Sequence, residues 1–385
     1  MRKRSKIKII FEKLFQVGGT SHAPDYSLIT ITLVLLLFGL LMLMSASSVT
    51  SYQKFGSSYY LFWHQIISGF LPGIIIFYIC SKIDFKLWKK FAFLMLVFSI
   101  LLLLTVFIPG LGSSLGTGSR SWINIFGFSI QPSEIVKLTF LIYLASWLDS
   151  RGAEKVKDLH HGLMPFLILL VVISGLMLLQ PDIGTLSIIF VIALISFYVG
   201  GGDLRHIISI LGGAFVTFFI AIKVAPYRLA RLTTFLNPGS DPQGVGYHLN
   251  QALIAVGSGR WLGVGLGHSR QKYGYLPEVA GDSIFPIIAE ELGFILCFIY
   301  IALIFILVYQ GLIVAKKSKT YYGRVLATGI IVWIGFQSFI NIASMMGLLP
   351  MTGVPLPFLS YGGTAMIMNL AAMGILVNIS RYTRN

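Results

Sequence analysis

Long apolar stretches alternate with shorter polar ones along almost the whole chain. They fall near residues 26–46, 63–80, 91–108, 134–148, 164–180, 185–200, 207–225, 284–309, 324–346 and 363–380. The pattern predicts about ten membrane-spanning helices. Several stretches are shorter than about 20 residues, so these spans extend into their flanks or tilt. Composition agrees: of 385 residues, 56% are hydrophobic and 11% charged, and the mean hydropathy is +0.84. A soluble domain does not bury that fraction, so lipid is the expected solvent for most of the surface. The expected fold class is therefore an all-α integral membrane protein.

Charge distribution gives the orientation. With the N-terminus inside, twenty of the 29 Lys and Arg fall in inner segments. Lys54, Arg120, Lys223, Arg228, Arg231, Arg260, Arg270 and Lys272 fall outside, and Lys137 lies within a span. This asymmetry predicts that both termini are cytoplasmic. The net charge of +15 is then a topology signal facing anionic lipid, and nucleic acid is not an expected partner. Residues 1–25 read as a basic cytoplasmic segment and 26–385 as one polytopic domain. No cleavable signal peptide is expected, because the first apolar stretch is long enough to span. Both cysteines, Cys80 and Cys297, lie in apolar runs, which argues against a disulfide framework.

Four polar segments break the apolar pattern on the outer side. The longest, 226–283, reads as one large extracytoplasmic loop before the eighth span. Within it, Tyr227, Leu229, Leu232 and Phe235 are placed to dip into the interface while Arg228 and Arg231 face headgroups. The stretch GYHLNQALIAVGSG predicts a short helix ended by Gly257 and Gly259. GVGLG at 263–267 resembles part of a dinucleotide loop, but no strand precedes it, so a Rossmann reading is rejected and no organic cofactor is expected. A second segment, 109–133, carries Arg120 and Trp122 and leads into Gln131-Pro132-Ser133-Glu134, a helix start. Glu134 and Lys137 are three apart on one face, about one turn into the membrane, where ionisable groups point inward. Gln180-Pro181-Asp182 is the third. PMTGVPLPFLSYGGT at 350–364, too rich in proline for regular helix, is the fourth.

Asp282 is the most informative single residue. It lies in LPEVAGDSIFPIIAEELG, where the long polar loop becomes an apolar run, with Arg260, Arg270 and Lys272 shortly before it. Asp282 also reads as an N-cap, as does Asp182. Glu134 with Lys137 also reads as a buried structural pair. Arg120 and Trp122 read as interfacial anchors, Glu290 and Glu291 as helix-packing polar contacts, and SYGG at 360–363 as a bend. His248 and Gln251 are about one turn apart, and the seven histidines show no zinc-ligand spacing.

Five motifs in order carry a family resemblance over nearly the whole chain from residue 26: SRSWI with QPSEIVKL, QPDIGT, FLNPGSDPQGVGYHLNQALIAVGSG, YLPEVAGDSIF with AEELG, and TGVPLPFLSYGG. They resemble the SEDS proteins, the group of FtsW, RodA and SpoVE. LMSASS and the GYHLNQALIAVGSGRWLGVGLGHSRQKYGYLPE block are most like the FtsW/SpoVE branch. The resemblance implies a peptidoglycan glycosyltransferase in the bacterial cytoplasmic membrane, polymerising lipid II at the extracytoplasmic face beside a class B penicillin-binding protein. The family's catalytic acid maps onto Asp282. Many relatives have Thr-Asp-Phe where this chain has Gly281-Asp282-Ser283, and Pro286 stands where a small residue is common.

The chemistry suits those residues. A sugar hydroxyl attacking an anomeric carbon needs a base, which one carboxylate supplies. The departing diphosphate needs positive charge, from Arg, Lys or a divalent cation such as Mg²⁺ or Mn²⁺ held at Asp282. Candidate substrate contacts are Arg120, Trp122, Glu134, Lys137 and Asp182, followed by His248, Gln251, Arg260, Lys272 and Ser360. Two rival functions are a lipid II flippase and a non-enzymatic scaffold for the penicillin-binding protein. The inner halves of the spans hold few charges, which counts against a flippase. A scaffold has no need of Asp282.

Overall fold

The computed structural model describes residues 22–108, 110–113, 121–125, 128–224, 233, 235–236 and 244–383. Each of the ten apolar stretches coincides with a helix. They are α1 (Tyr26–Phe55), α2 (Tyr60–Lys82), α4 (Ala92–Thr105), α5 (Pro132–Val156) and α6 (Leu159–Leu179), then α7 (Ile183–Val199), α8 (Leu204–Val224), α10 (Ile284–Lys317), α11 (Tyr321–Met345) and α12 (Gly363–Ser380). Between them, among the described residues, lie the short α3 (Lys86–Lys90) and α9 (Val245–Ser258). Among the described residues, α1, α2, α6, α10, α11 and α12 are long and apolar enough to cross a membrane.

Local chemistry sets the helix ends. The Asp25 carboxylate accepts from Ser27 N at 2.9 Å at the start of α1, and Gly56, at φ 72°, closes its end. Asp158 caps α6 through His160 and His161 N–H, Asp182 caps α7 through Thr185 N, and Thr320 caps α11 through Gly323 N. The capping reading of Asp182 is therefore realised. The helix expected in GYHLNQALIAVGSG is α9, which ends at Ser258 with Gly259 as its C-cap.

The helices fall into two classes. Outer ones expose large apolar side chains such as Phe93, Ile168, Phe215 and Phe305, as lipid solvent requires. Inner ones are enclosed: α12 lies along α2, and α11 packs between α7 and α10 with α5 beside it. Cys80 and Cys297 are buried and unpaired.

The strictly all-helical expectation needs one correction. The segment before α5 forms a three-stranded antiparallel sheet of β1 (Gly112–Ser113), β2 (Trp122–Ile125) and β3 (Phe128–Ile130). Ser113 pairs with Trp122, and Asn124 with Ser129. The segment has no 3.6-residue apolar period, and at a membrane edge its backbone groups must still be satisfied, which strand pairing does. Arg120, and Tyr227 through Leu232 of the interfacial stretch, lie outside the described residues.

One glycine ties the long loop to the bundle. Gly293 interrupts α10 at φ 74° and ψ −176°. The carbonyls freed there, Glu290 and Glu291, accept from Val264 N at 2.9 Å and Gly265 N at 3.0 Å. Phe294 N and Ile295 N donate to the Arg260 and Trp261 carbonyls at 2.9 and 3.2 Å. A Cβ on Gly293 would lie 2.3 Å from Gly263 N, so only glycine admits this crossing.

Candidate active site

Asp282 sits in a tight turn entering α10. Gly281 N and Ser283 N both donate to the Glu278 carbonyl, at 2.9 and 3.2 Å, with Glu278 itself at φ 49°. Two outside groups pin the turn. Asn341 of α11 donates through Nδ2 to the Asp282 carbonyl and to the Val354 carbonyl, each at 2.8 Å. Tyr361 N donates to the Ala280 carbonyl at 2.7 Å. The carboxylate is therefore carried on backbone fixed to both α11 and the 350–362 segment. Its Oδ2 lies 3.7 Å from where a Cβ on Gly353 would stand, at φ 69°, so Gly353 packs on that side of the carboxylate. The N-cap position of α10 falls to Ser283, not to Asp282.

The stitch made by Asn341 predicts a measurable cost. Asn341→Leu leaves two backbone carbonyls unsatisfied and is expected to destabilise the protein by about 1–3 kcal/mol. Thermal unfolding in detergent checks this.

A second polar centre lies beside the first. Lys137 and Glu134 are both fully buried, with Nζ 2.7 Å from Glu134 Oε1 and 2.6 Å from Gln337 Oε1. Nζ also stands 4.8 Å from the Trp333 ring centre, and Trp333 Nε1 donates to the same Gln337 oxygen at 2.7 Å. The ammonium thus has two acceptors and an aromatic face. Gln337 Nε2 in turn donates to the Pro355 carbonyl at 2.8 Å, and Ser133 Oγ donates to Asp182 Oδ2 at 3.2 Å. The 350–362 segment therefore borders both centres, Asp282 through Gly353 and Val354, and Lys137 through Pro355. Burial pushes the Tyr361 phenol on this segment up to about 12, and its oxygen lies 2.8 Å from His64 Nδ1.

Other candidates are placed elsewhere. Lys272 is buried, 2.9 Å from Glu291 Oε1 and 2.7 Å from the Gly267 carbonyl. Glu291 also accepts from Ser45 Oγ, while Glu290 accepts from the Ser269 hydroxyl and Arg270 N. This cluster, with Lys272 inside it, pins the loop to α1 and α10. Arg260 is exposed at the Gly293 break, roughly 18 Å along α10 from Asp282 at 1.5 Å per residue. Ser360 is buried, and its Oγ accepts from Leu356 N at 2.7 Å, which makes it part of the bend. Trp122 is half-buried on β2, and Ser121 Oγ beside it donates to the Gln180 carbonyl at 3.3 Å, next to Asp182. Gln251 is half-buried on α9, one turn beyond His248, whose Nε2 lies 2.6 Å from Ser283 Oγ.

Sequence reasoning missed Gln337 and Asn341. Four apart in an apolar helix, they share one face, and polar groups within a span carry that signal. It also missed that Gly353 lies beside the Asp282 carboxylate. Among the described residues, no three His, Cys, Asp or Glu side chains gather as metal ligands. Asp282 offers one carboxylate, which suits Mg²⁺ or Mn²⁺ only when substrate phosphate oxygens and water complete the shell.

Comparison with known proteins matches this architecture throughout. Stage V sporulation protein E of Bacillus subtilis is 39% identical over 363 residues, covering 94% of this chain and 98% of that one. A probable peptidoglycan glycosyltransferase FtsW of Coxiella burnetii is 38% identical over 368 residues, covering 95% and 98%. Among solved structures, a chain of a peptidoglycan synthase complex superposes with a TM-score of 0.78 at 23% identity, covering 94% of this chain. The rod shape determining protein RodA of Thermus thermophilus superposes at 0.68, also at 23% identity and 94% coverage. The family model described as cell cycle protein, for the FtsW, RodA and SpoVE group, matches residues 26–385, and the chain belongs to that family.

Proposed function

We propose that this protein is a peptidoglycan glycosyltransferase that polymerises lipid II at the outer face of the bacterial cytoplasmic membrane, with Asp282 as general base. The observation that carries this reading is the half-buried carboxylate at the mouth of α10, on a turn whose main chain is held by Asn341 and Tyr361 and with Gly353 beside it. Relatives that bear the glycosyltransferase name and align over most of the chain support it.

The step needs little else. The Asp282 carboxylate takes the proton of an acceptor sugar hydroxyl as the hydroxyl oxygen bonds to the donor's anomeric carbon. The bond from that carbon to the diphosphate breaks, and the diphosphate lipid leaves with the electron pair. A second carboxylic acid is not required, because the diphosphate is already a competent leaving group. Asp282 is the residue that would hold a divalent cation, and such a cation would supply positive charge to the departing diphosphate. Glu134 and Lys137 are enclosed and paired, which supports a catalytic reading over an open polar path for a flippase.

Orientation belongs to the same proposal: ten spans, with both termini and the basic loops inside. His22 N donates to the Arg381 carbonyl, Ser318 pairs with Thr383, and Lys89 pairs with Asp149. These contacts gather both described ends and the basic loops at one end of the bundle, which supports the charge asymmetry. In a Cys80→Ala, Cys297→Ala background, an impermeant maleimide is expected to label Tyr275→Cys on intact spheroplasts. It should reach Lys157→Cys only after lysis.

The partner we propose is a class B penicillin-binding protein, supported by a structural relative that works within a peptidoglycan synthase complex. The experiment is polymerisation of labelled lipid II by the purified complex, with Mg²⁺, Mn²⁺ or EDTA. Long glycan is expected, and its loss in EDTA identifies the cation. No polymer from a folded, partner-bound protein overturns the reading.

A further inference from the structure

We propose that His248 and Ser283 form a hydrogen-bonded relay that orients the Asp282 carboxylate, making His248 a positioning residue rather than a substrate contact. The proposal rests on the reading of Asp282 as the general base. Ser283 Oγ lies 2.6 Å from His248 Nε2 and 3.4 Å from Asp282 Oδ1.

Direction follows from the chemistry of the three groups. An ionised carboxylate only accepts, so the single hydroxyl proton of Ser283 goes to Asp282 Oδ1. Ser283 Oγ then accepts, and His248 must carry its proton on Nε2 to donate to it. The order is His248 Nε2–H to Ser283 Oγ, and Ser283 Oγ–H to Asp282 Oδ1. This engages Oδ1 and sets the plane of the carboxylate, with Oδ2 on the Gly353 side, 3.7 Å from where a Cβ there would stand.

The elements are placed for this. Ser283 is fully buried at the N-cap of α10, and its hydroxyl does not cap the helix, so it is available to the two neighbours. His248 is half-buried on α9, which packs against α10. The short bond is on the His248 side and the long one on the Asp282 side. That is the arrangement expected of a carboxylate that tightens on its support when substrate closes over it.

The test measures kcat and KM for lipid II with the complex intact. Ser283→Ala and His248→Leu are each expected to lower kcat about tenfold with KM nearly unchanged. The double variant should be no slower than the worse single one, because both break the same path. His248→Gln, which keeps an N–H donor at similar reach, should recover most of the rate. Ser283→Ala removes one buried oxygen and decides the matter if His248→Leu fails to fold. Wild-type kcat in Ser283→Ala, or losses that multiply in the double variant, overturn the relay. So does a change confined to KM, which would return His248 to the substrate. Asp282→Asn in the same assay separates the two claims. If it is inactive while Ser283→Ala is normal, only the relay fails; if it is active, the base assignment fails.

Discussion

Asp282→Asn is expected to abolish glycan formation, by about 10²- to 10⁴-fold, while the protein stays folded. The substitution is nearly isosteric and keeps the main-chain bonds that hold the turn. Asn341 Nδ2 and Tyr361 N act on the Asp282 and Ala280 carbonyls, which are main-chain atoms. Ser283 Oγ–H can donate to an amide oxygen as it does to the carboxylate. What disappears is the capacity to accept a proton, since an amide oxygen is far too weak a base. Labelled lipid II read on a gel gives the activity, and thermal unfolding in detergent gives the fold. A rate near wild type from Asp282→Asn would move the base to another residue. An unfolded variant would instead say that the carboxylate holds the turn, and Asp282→Glu would then be the variant to compare.

The helices were legible because lipid imposes a simple rule. A span must be apolar for its whole length and must satisfy its own backbone, so the six helices among the described residues that are long and apolar enough to cross fall on apolar stretches. The sheet of Trp122–Ile125 and Phe128–Ile130 was not legible. Its strands are three or four residues long, and their pairing depends on register with Gly112–Ser113. Site residues divided in the same way. Asp282 stands out on local grounds, as a carboxylate at a polar-to-apolar boundary. Lys272 and Arg260 were grouped with it by sequence distance. The Gly293 break instead draws Arg260 roughly twelve residues down α10 and leaves Lys272 against Glu291. No local pattern announces that a loop will lie across an interrupted helix. Gln337 and Asn341 carried a readable signal in their spacing, but their partners, Pro355, Val354 and Asp282, lie in separate segments.

Lys137→Met is expected to destabilise the protein by about 3–5 kcal/mol, because it leaves the buried Glu134 carboxylate without its counter-charge. Glu134 is fully buried, and its Oε2 already has no hydrogen-bond partner in the described structure. Removing Lys137 takes away the bond to Oε1 as well, and Gln337 loses the same ammonium from its oxygen. Thermal unfolding in detergent gives the size of the loss. Glu134→Gln combined with Lys137→Met removes both charges and should regain most of the stability, since the attraction and the desolvation of such pairs largely cancel. That double variant also separates the two roles the sequence allowed. If the pair only holds α5 to α11 and the 350–362 segment, restored stability brings restored lipid II binding with it. If Lys137 meets the substrate diphosphate when the bundle opens around it, the double variant is stable and still binds lipid II poorly. The geometry favours the first outcome, because the ammonium is enclosed and already engaged by Glu134, Gln337 and the Trp333 ring.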